Sequence, residues 1–485
     1  MFCMLIHSTI PVFRTATTLL LCSAPLLSGC GSLPATAPTE PPSRTSVAYV
    51  VVGENGTAWA RVITPGLTDA SCPLVTVDGT TQRMAVRAPA ATIAQRKTAS
   101  DAANSKPSAF PVLTCEYPLP ENARSATTEG VTLPLPKANP RRIVVVGDTG
   151  CRMKKADNVW QACVDNEAWP FRAVASAAAA MAPDLVIHVG DYHYRENACP
   201  PDIVGCQGSP WGYGWDTWHA DFFEPASTLL AAAPWVVTRG NHEECRRAGQ
   251  GWFRFLDPRP FEEQRSCNEA QYDSIGNFTP PYAVPLSREV QLIVFDSAAS
   301  GHKPLNPKKT REAHAFAQYR QQFVKVDELA DKAGVSSIFV NHHPILGYSP
   351  RDEFGVYAGS PAQLSVMKSL HPLAYYPPSV TLALHGHVHL FEAINFLSNH
   401  PATIVSGMGG DELDAKLPDP FPTHIAPAEG VTLESITHSA EFGFVVMDKQ
   451  ENSWQIGAFD HRGSLKTTCT LIGSKLRCDK TGLVK

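Results

Sequence analysis

The sequence predicts an α/β layered fold with a smaller β-rich domain ahead of it, and three observations carry that prediction. After Arg141, short and almost uninterrupted apolar runs alternate with longer helical or loop segments. Before it, residues 46 to about 138 hold only short β-forming runs broken by Gly, Pro and polar turns. The chain of 485 residues is long enough for two or three domains, and its 44% hydrophobic content supplies sizeable cores.

The N-terminal runs are "SVAYVVVG", "TAWARVI", "PLVTVDG", "RMAVRA" and "FPVLTCEYPL". No helical period appears among them, so residues 46–138 read as a small β-sandwich. Pro134, Pro136 and Pro140 mark the passage into the second region, 139–462. There the runs are "RRIVVVGD", "PDLVIHVGD", "PWVVTRGNH", "VQLIVFDS", "SSIFVNHHP" and "VTLALHGHVH". Apolar runs without polar alternation describe strands covered on both faces. "FRAVASAAAAMA" and "REAHAFAQYRQQFVKVDELADKAG" are the helix candidates between them, the second stopped by Gly334. "FGFVVMD" reads as a late antiparallel strand, and residues 463–485 form a tail holding Cys469 and Cys478.

Net charge is −5, with no Lys/Arg run that would make a basic stripe, so nucleic-acid binding is not expected. Residues 1–29 read as a targeting segment: Arg14 precedes "TATTLLLCSAPLLSGC", too short to span a bilayer. Leu27-Ser28-Gly29-Cys30 resembles the lipobox of bacterial lipoproteins, in which the Cys is lipidated and becomes the first mature residue. Residues 30–45, rich in Pro, Ser and Thr, follow as a tether. The resemblance implies export and a membrane anchor at Cys30. By resemblance to the sorting rule of Gram-negative lipoproteins, Gly31, not Asp, favours the outer membrane facing the periplasm. Ten cysteines remain after Cys3, Cys22 and Cys30, and an even number in an exported chain suggests disulfides. The simplest pairing, in sequence order, is Cys72–Cys115, Cys151–Cys163, Cys199–Cys206, Cys245–Cys267 and Cys469–Cys478. No CxxC pair supports a cysteine metal site.

Each of the six apolar runs ends in a residue able to bind or organise a metal. Asp148, Asp191, Asn241 and Asp296 end the first four; His342 with His343, and His387 with His389, end the last two. In layered α/β folds the carboxyl ends of strands gather at one edge, where sites form. A strand-ending Gly-Asp is by itself an ordinary turn; the full set is not explained by turns.

Gly147-Asp148-Thr149-Gly150, Gly190-Asp191-Tyr192-His193-Tyr194, Gly240-Asn241-His242-Glu243, Asn341-His342-His343-Pro344 and Gly386-His387-Val388-His389 resemble the ordered motifs of calcineurin-like metallophosphoesterases, and more closely the purple acid phosphatase branch. Most of the superfamily carries Asp-x-His in the first motif. Here that position is Gly150, and the second motif brings Tyr194 in a GDxxY pattern. The resemblance implies a four-layer α/β/β/α metallophosphoesterase sandwich behind the N-terminal domain.

It also implies two metal ions clamping a phosphoryl group and activating the water that attacks phosphorus. The first ion would take Asp148, Asp191, Tyr194 and His389, and the second Asp191, Asn241, His342 and His387. A phenol of pKa about 10 binds as phenolate only to a strongly acidic ion, which points to Fe(III) at the Tyr194 site. Fe(II), Zn or Mn suits the other. By the same resemblance His242 contacts substrate or leaving group, as general acid or electrostatic stabiliser. Glu243 would orient it, or is a helix-start carboxylate. The His-x-Pro pattern selects His342 as ligand and leaves His343 behind it or facing substrate. Asp296 is not expected to be a ligand.

The expected activity is therefore hydrolysis of a phosphorylated small molecule, as an acid-phosphatase-like phosphomonoesterase. A phosphodiesterase, a nucleotide pyrophosphohydrolase, or a non-catalytic metal-binding envelope lipoprotein are the alternatives. "SPWGYGWDTWHADFFEP" (209–225) packs as core or lines the substrate groove, and "SGMGGDEL" (406–413) resembles a Gly-rich family loop near the site.

Overall fold

A computed structural model describes residues 46–351, 355–422 and 424–480. The signal segment, Cys30 and the tether lie outside the described residues, as do 481–485. All six apolar runs form strands, and they divide three and three between two sheets. Arg142–Val146, Leu185–His188 and Trp235–Val237 are parallel neighbours in an eleven-stranded sheet. Val290–Val294, Ser336–Val340 and Val380–His385 are parallel neighbours in a seven-stranded one.

Side chains on a strand alternate between faces, so each apolar run serves two cores. Ile143, Val145, Ile187 and Val236 face Leu292, Val294, Ile338 and Leu382 in the layer between the sheets. Their neighbours Val144, Val146 and Val186 turn outward onto Phe171, Val174 and Ala178 of the helix Phe171–Ala180. On the far side Ile293, Phe339 and Ala383 pack on Tyr319, Phe323 and Val326 of the helix Thr310–Ala330. The result is the expected α/β/β/α sandwich. Each Val, Leu, Ile or Phe among them, fully buried, contributes about 1.5–3 kcal/mol. The aromatic stretch 209–225 also enters the core: Trp218, Phe222 and Phe223 are buried against the first sheet.

The N-terminal residues form a sandwich, as expected, and one of its sheets is shared. Val50, Ala60, Val62 and Leu113 pack on Val75, Val77 and Ala126 of a separate four-stranded sheet. The strand carrying Val50, Val47–Val52, pairs in parallel with Trp235–Val237, so the catalytic sheet runs on into the N-terminal domain. Buried Arg61 and Arg87 meet Glu116 and donate to the carbonyls of Phe253, Phe255 and Asp257. The predicted strand Gly443–Lys449 is antiparallel to Arg142–Val146. The tail adds the hairpin Leu465–Ile472 and Lys475–Cys478 at the sheet's other end. All five disulfides pair as the sequence order suggests.

Candidate metal centre and active site

The carboxyl ends of both parallel cores meet, and the seven proposed ligands converge there. Tyr194 Oη lies 3.0 Å from Asp148 Oδ1, 3.0 Å from Asp191 Oδ2 and 3.1 Å from His389 Nε2. His342 Nε2 lies 3.1 Å from the same Asp191 oxygen and 3.1 Å from Asn241 Oδ1. Donor atoms of Asp191, His342 and His387 fall within 4.8 Å of one another. Asp191 thus stands between two groups of donors, the geometry a bridging carboxylate needs. His342, not His343, enters the centre, and its Nδ1 is fixed by a 2.8 Å contact with the Val189 carbonyl.

The backbone is strained where it delivers these groups. Asp148, Asp191 and His387 have φ of 56°, 57° and 69°, a left-handed conformation that costs a residue with a side chain roughly 1–3 kcal/mol. Glycines beside them allow the close approach. A Cβ on Gly240 would sit 2.1 Å from Asp191 Oδ1. A Cβ on Gly150 would sit 2.8 Å from Tyr194 N and 2.9 Å from Tyr192 O. No histidine fits at Gly150, because the Tyr194 loop occupies its space.

The electrostatics fit cations. Asp148 and Asp191 are buried, and among the described residues neither is ion-paired with Lys or Arg. Burial raises the Asp148 carboxyl, although His389 and His342 oppose it. Burial would also raise Asp191, but His342 foremost, with Arg247, outweighs it and holds that carboxyl well below its usual range. Burial works against a proton on His342 and on His389. Asp191 nevertheless raises the first to about 9, and Asp411 with Asp148 raises the second to about 10. Protons on these imidazoles neutralise the carboxylates here. Burial, then Asp148 and Asp191, push the Tyr194 phenol well above 10, so only a bound cation would ionise it. The residues therefore suit a pair of metal ions.

Residues 141–391, more than half of the chain, match the calcineurin-like phosphoesterase family. The chain belongs to that family. It is accordingly a metal-dependent hydrolase of phosphate esters, and the family fold implies a dinuclear metal site and a phosphorylated small-molecule substrate. Among solved structures, a purple acid phosphatase from yellow lupin (Lupinus luteus) seeds shares the fold. Identity is 16%, coverage 88% of this chain and 74% of that one, and the TM-score 0.53. PhoD aligns at 12% identity over 90% of this chain and 91% of its own, with a TM-score of 0.47. No curated protein matches the chain.

Three further residues were expected to assist this phosphoesterase centre. His242 lies beside it, its ring 3.9 Å from that of Tyr194 and its backbone N–H donating to Asp191 Oδ1 at 2.7 Å. Burial and the adjacent Arg247 hold its imidazole down at about 3, so the ring is neutral. Glu243 does not orient it, which corrects the first of the two readings; the helix-start carboxylate is what the structure shows. Its buried carboxylate accepts the backbone N–H groups of Gly240, Asp191, Tyr192 and His193, and so clamps the GDxxY loop. The carboxylate that does meet His242 is Glu196, 3.0 Å from Nδ1 and paired with Arg247. His343 sits behind His387, its ring 4.2 Å away, with Nδ1 2.8 Å from Ser297 Oγ. Asp296, which was not expected to be a ligand, accepts from Arg239, Thr279 N and Ala298 N.

Sequence reading missed four charged residues. Glu196 and Arg247 flank His242. Arg152 binds Asp411 with both Nε and Nη2, and its Nη2 lies 3.3 Å from His389 Nδ1. Its guanidinium also lies 5.2 Å over the Tyr194 ring. Asp411 sits inside the Gly-rich 406–413 loop. The sequence signals were the positions of Glu196 and Arg152 just after Tyr194 and Cys151, and the Gly-rich 406–413 stretch that holds Asp411.

Proposed function

We propose that the protein is an acid-phosphatase-like phosphomonoesterase with Fe(III) at the Tyr194 site and Fe(II), Zn or Mn at the other. Asp148, Asp191, Tyr194 and His389 would hold the first ion; Asp191, Asn241, His342 and His387 the second. The observation carrying this reading is the position of the Tyr194 phenol among two buried carboxylates and His389, where Gly150 leaves no room for a histidine. The ions, when bound, neutralise the phosphoryl oxygens and acidify the attacking water.

The chain's own groups do the positioning. Asp191 ties both halves together, and Glu243 fixes the loop that carries it. His242 faces the reacting ester as a neutral imidazole held by Glu196. The neighbouring Arg247 favours electrostatic stabilisation over proton donation. Export and a lipid anchor at Cys30 belong to the same proposal, and five disulfides support an oxidising compartment.

Purified, metal-loaded protein is tested with a chromogenic phosphomonoester and a phosphodiester. Faster cleavage of the monoester is the expected result. Faster cleavage of the diester makes the protein a phosphodiesterase, and no cleavage of either leaves a metal-binding envelope protein. Cys30→Ser should release the protein from the membrane fraction; retention there would remove the anchor from the proposal.

A further inference from the structure

A cavity of about 470 Å³ opens beside His387 and His343. Its volume is in the range of small-molecule sites. It is walled by two short paired strands, Tyr348–Arg351 and Gly355–Ala358, and by the loop carrying His302 and Lys303. Much of the lining is apolar: Pro344, Val388 and Pro361, with Tyr348 and Tyr357 as its aromatic side chains. Tyr357 is 56% exposed although it lines the cavity, and the Arg351 guanidinium lies 5.2 Å over its ring. Arg351 covers one face of this ring, and an aromatic side chain that open, lining a cavity next to a site that handles phosphate esters, can present its other face for stacking.

Resting on the phosphomonoesterase reading, we propose that this cavity receives the leaving group of the substrate, and that the group is a planar aromatic or heteroaromatic ring stacked on Tyr357. The direction follows from contiguity. His387 belongs both to the ligand cluster with Asp191 and His342 and to the cavity lining. A phosphoryl group at the centre therefore has its ester oxygen's substituent within reach of the cavity. Lys303 on the wall adds a positive charge that attracts anionic esters of this kind.

The experiment compares kcat/KM for phenyl phosphate and glycerol phosphate in the metal-loaded wild type, Tyr357→Ala and Tyr357→Phe. In parallel, the Tm rise given by phenylphosphonate and by methylphosphonate is measured in each protein. The wild type should favour the phenyl ester and gain more Tm from phenylphosphonate. Tyr357→Ala should lower the phenyl-over-glycerol ratio about fivefold and erase the difference in Tm shift, while Tyr357→Phe restores both. An active wild type whose ratio and Tm shifts are insensitive to Tyr357→Ala overturns the pocket and leaves the phosphatase reading standing. A wild type that cleaves no ester yet still ranks the phosphonates through Tyr357 keeps the pocket and overturns that reading. Failure of both readouts overturns both.

Discussion

The two halves of the metal centre share Asp191 and differ in what covers them. The Tyr194 half is closed. Asp148 and Tyr194 are buried, His242 packs on the phenol, and Arg152 lies over it with Asp411 behind. The His342 half is open: Asn241 and His387 are half-buried, and His387 borders the large cavity. A closed, oxygen-rich pocket retains a hard ion and tunes it. An open, imidazole-rich one leaves space for a ligand to come and go. On the proposed ligand sets, this difference would give retention to one half and substrate handling to the other.

Removing the shared carboxylate should erase the comparison, with the largest effect. Asp191→Ala is expected to cost both ions, measured by metal analysis, and to lower kcat/KM by about 10³-fold or more. A variant that keeps two metal equivalents would mean that Asp191 does not bridge. Next comes the open half. His387→Ala should lose the second metal and about 10²-fold in kcat, yet keep iron and colour at the Tyr194 site. Bleaching of that variant would show that the halves do not act separately.

The closed half is probed by Tyr194→Phe, which removes one oxygen donor with little change in volume. Iron-loaded wild type should be purple or pink through phenolate-to-Fe(III) charge transfer. The variant should lose the band and hold iron more weakly, with activity down about 10- to 100-fold because water fills the vacated position. A full iron complement without a visible band in the wild type, or an unchanged spectrum in the variant, would reduce Tyr194 to a packing aromatic.

The contrast also explains what could be read in advance. The candidate ligands were legible because all but Tyr194 lie just past the ends of apolar strands, and Asp148, Asp191, Asn241 and His387 each follow a glycine, a pattern that packing alone does not generate. The division of the six strands between two sheets was not legible. A doubly covered apolar run looks the same in either sheet, and only pairing such as Ile293 with Phe339 decides it. The sharing of the catalytic sheet with the N-terminal sandwich was hidden likewise, because "SVAYVVVG" does not name its partner. Of the two readings of Glu243 the orienting one failed: an acidic residue beside a histidine suggests a side-chain pair, whereas the turn at Gly240 aims the carboxylate back at backbone amides, as a helix-start carboxylate would be. Arg152 and Asp411 lie 259 residues apart, and a lone charged residue in a loop has no pattern that reports its partner.

That pair offers the smallest and most selective effect. Arg152 touches Asp411 and His389 and covers the Tyr194 ring, so it reaches the closed half without contributing a ligand. Groups that orient metal ligands typically alter affinity or activity by about 10- to 100-fold. Arg152→Ala should fall at the lower end, about tenfold in iron retention, because Asp411 and the Glu412 carbonyl, 2.7 Å from His389 Nδ1, still hold the imidazole. Loss of the nearby positive charge should make the phenolate a better electron donor, shifting the charge-transfer band to longer wavelength. Binding of the second metal should be unaffected, since Arg152 contacts none of Asn241, His342 or His387. Equal weakening of both metals would mean that the closed half is not insulated, and that Arg152 braces the whole loop system through its neighbour Cys151 instead.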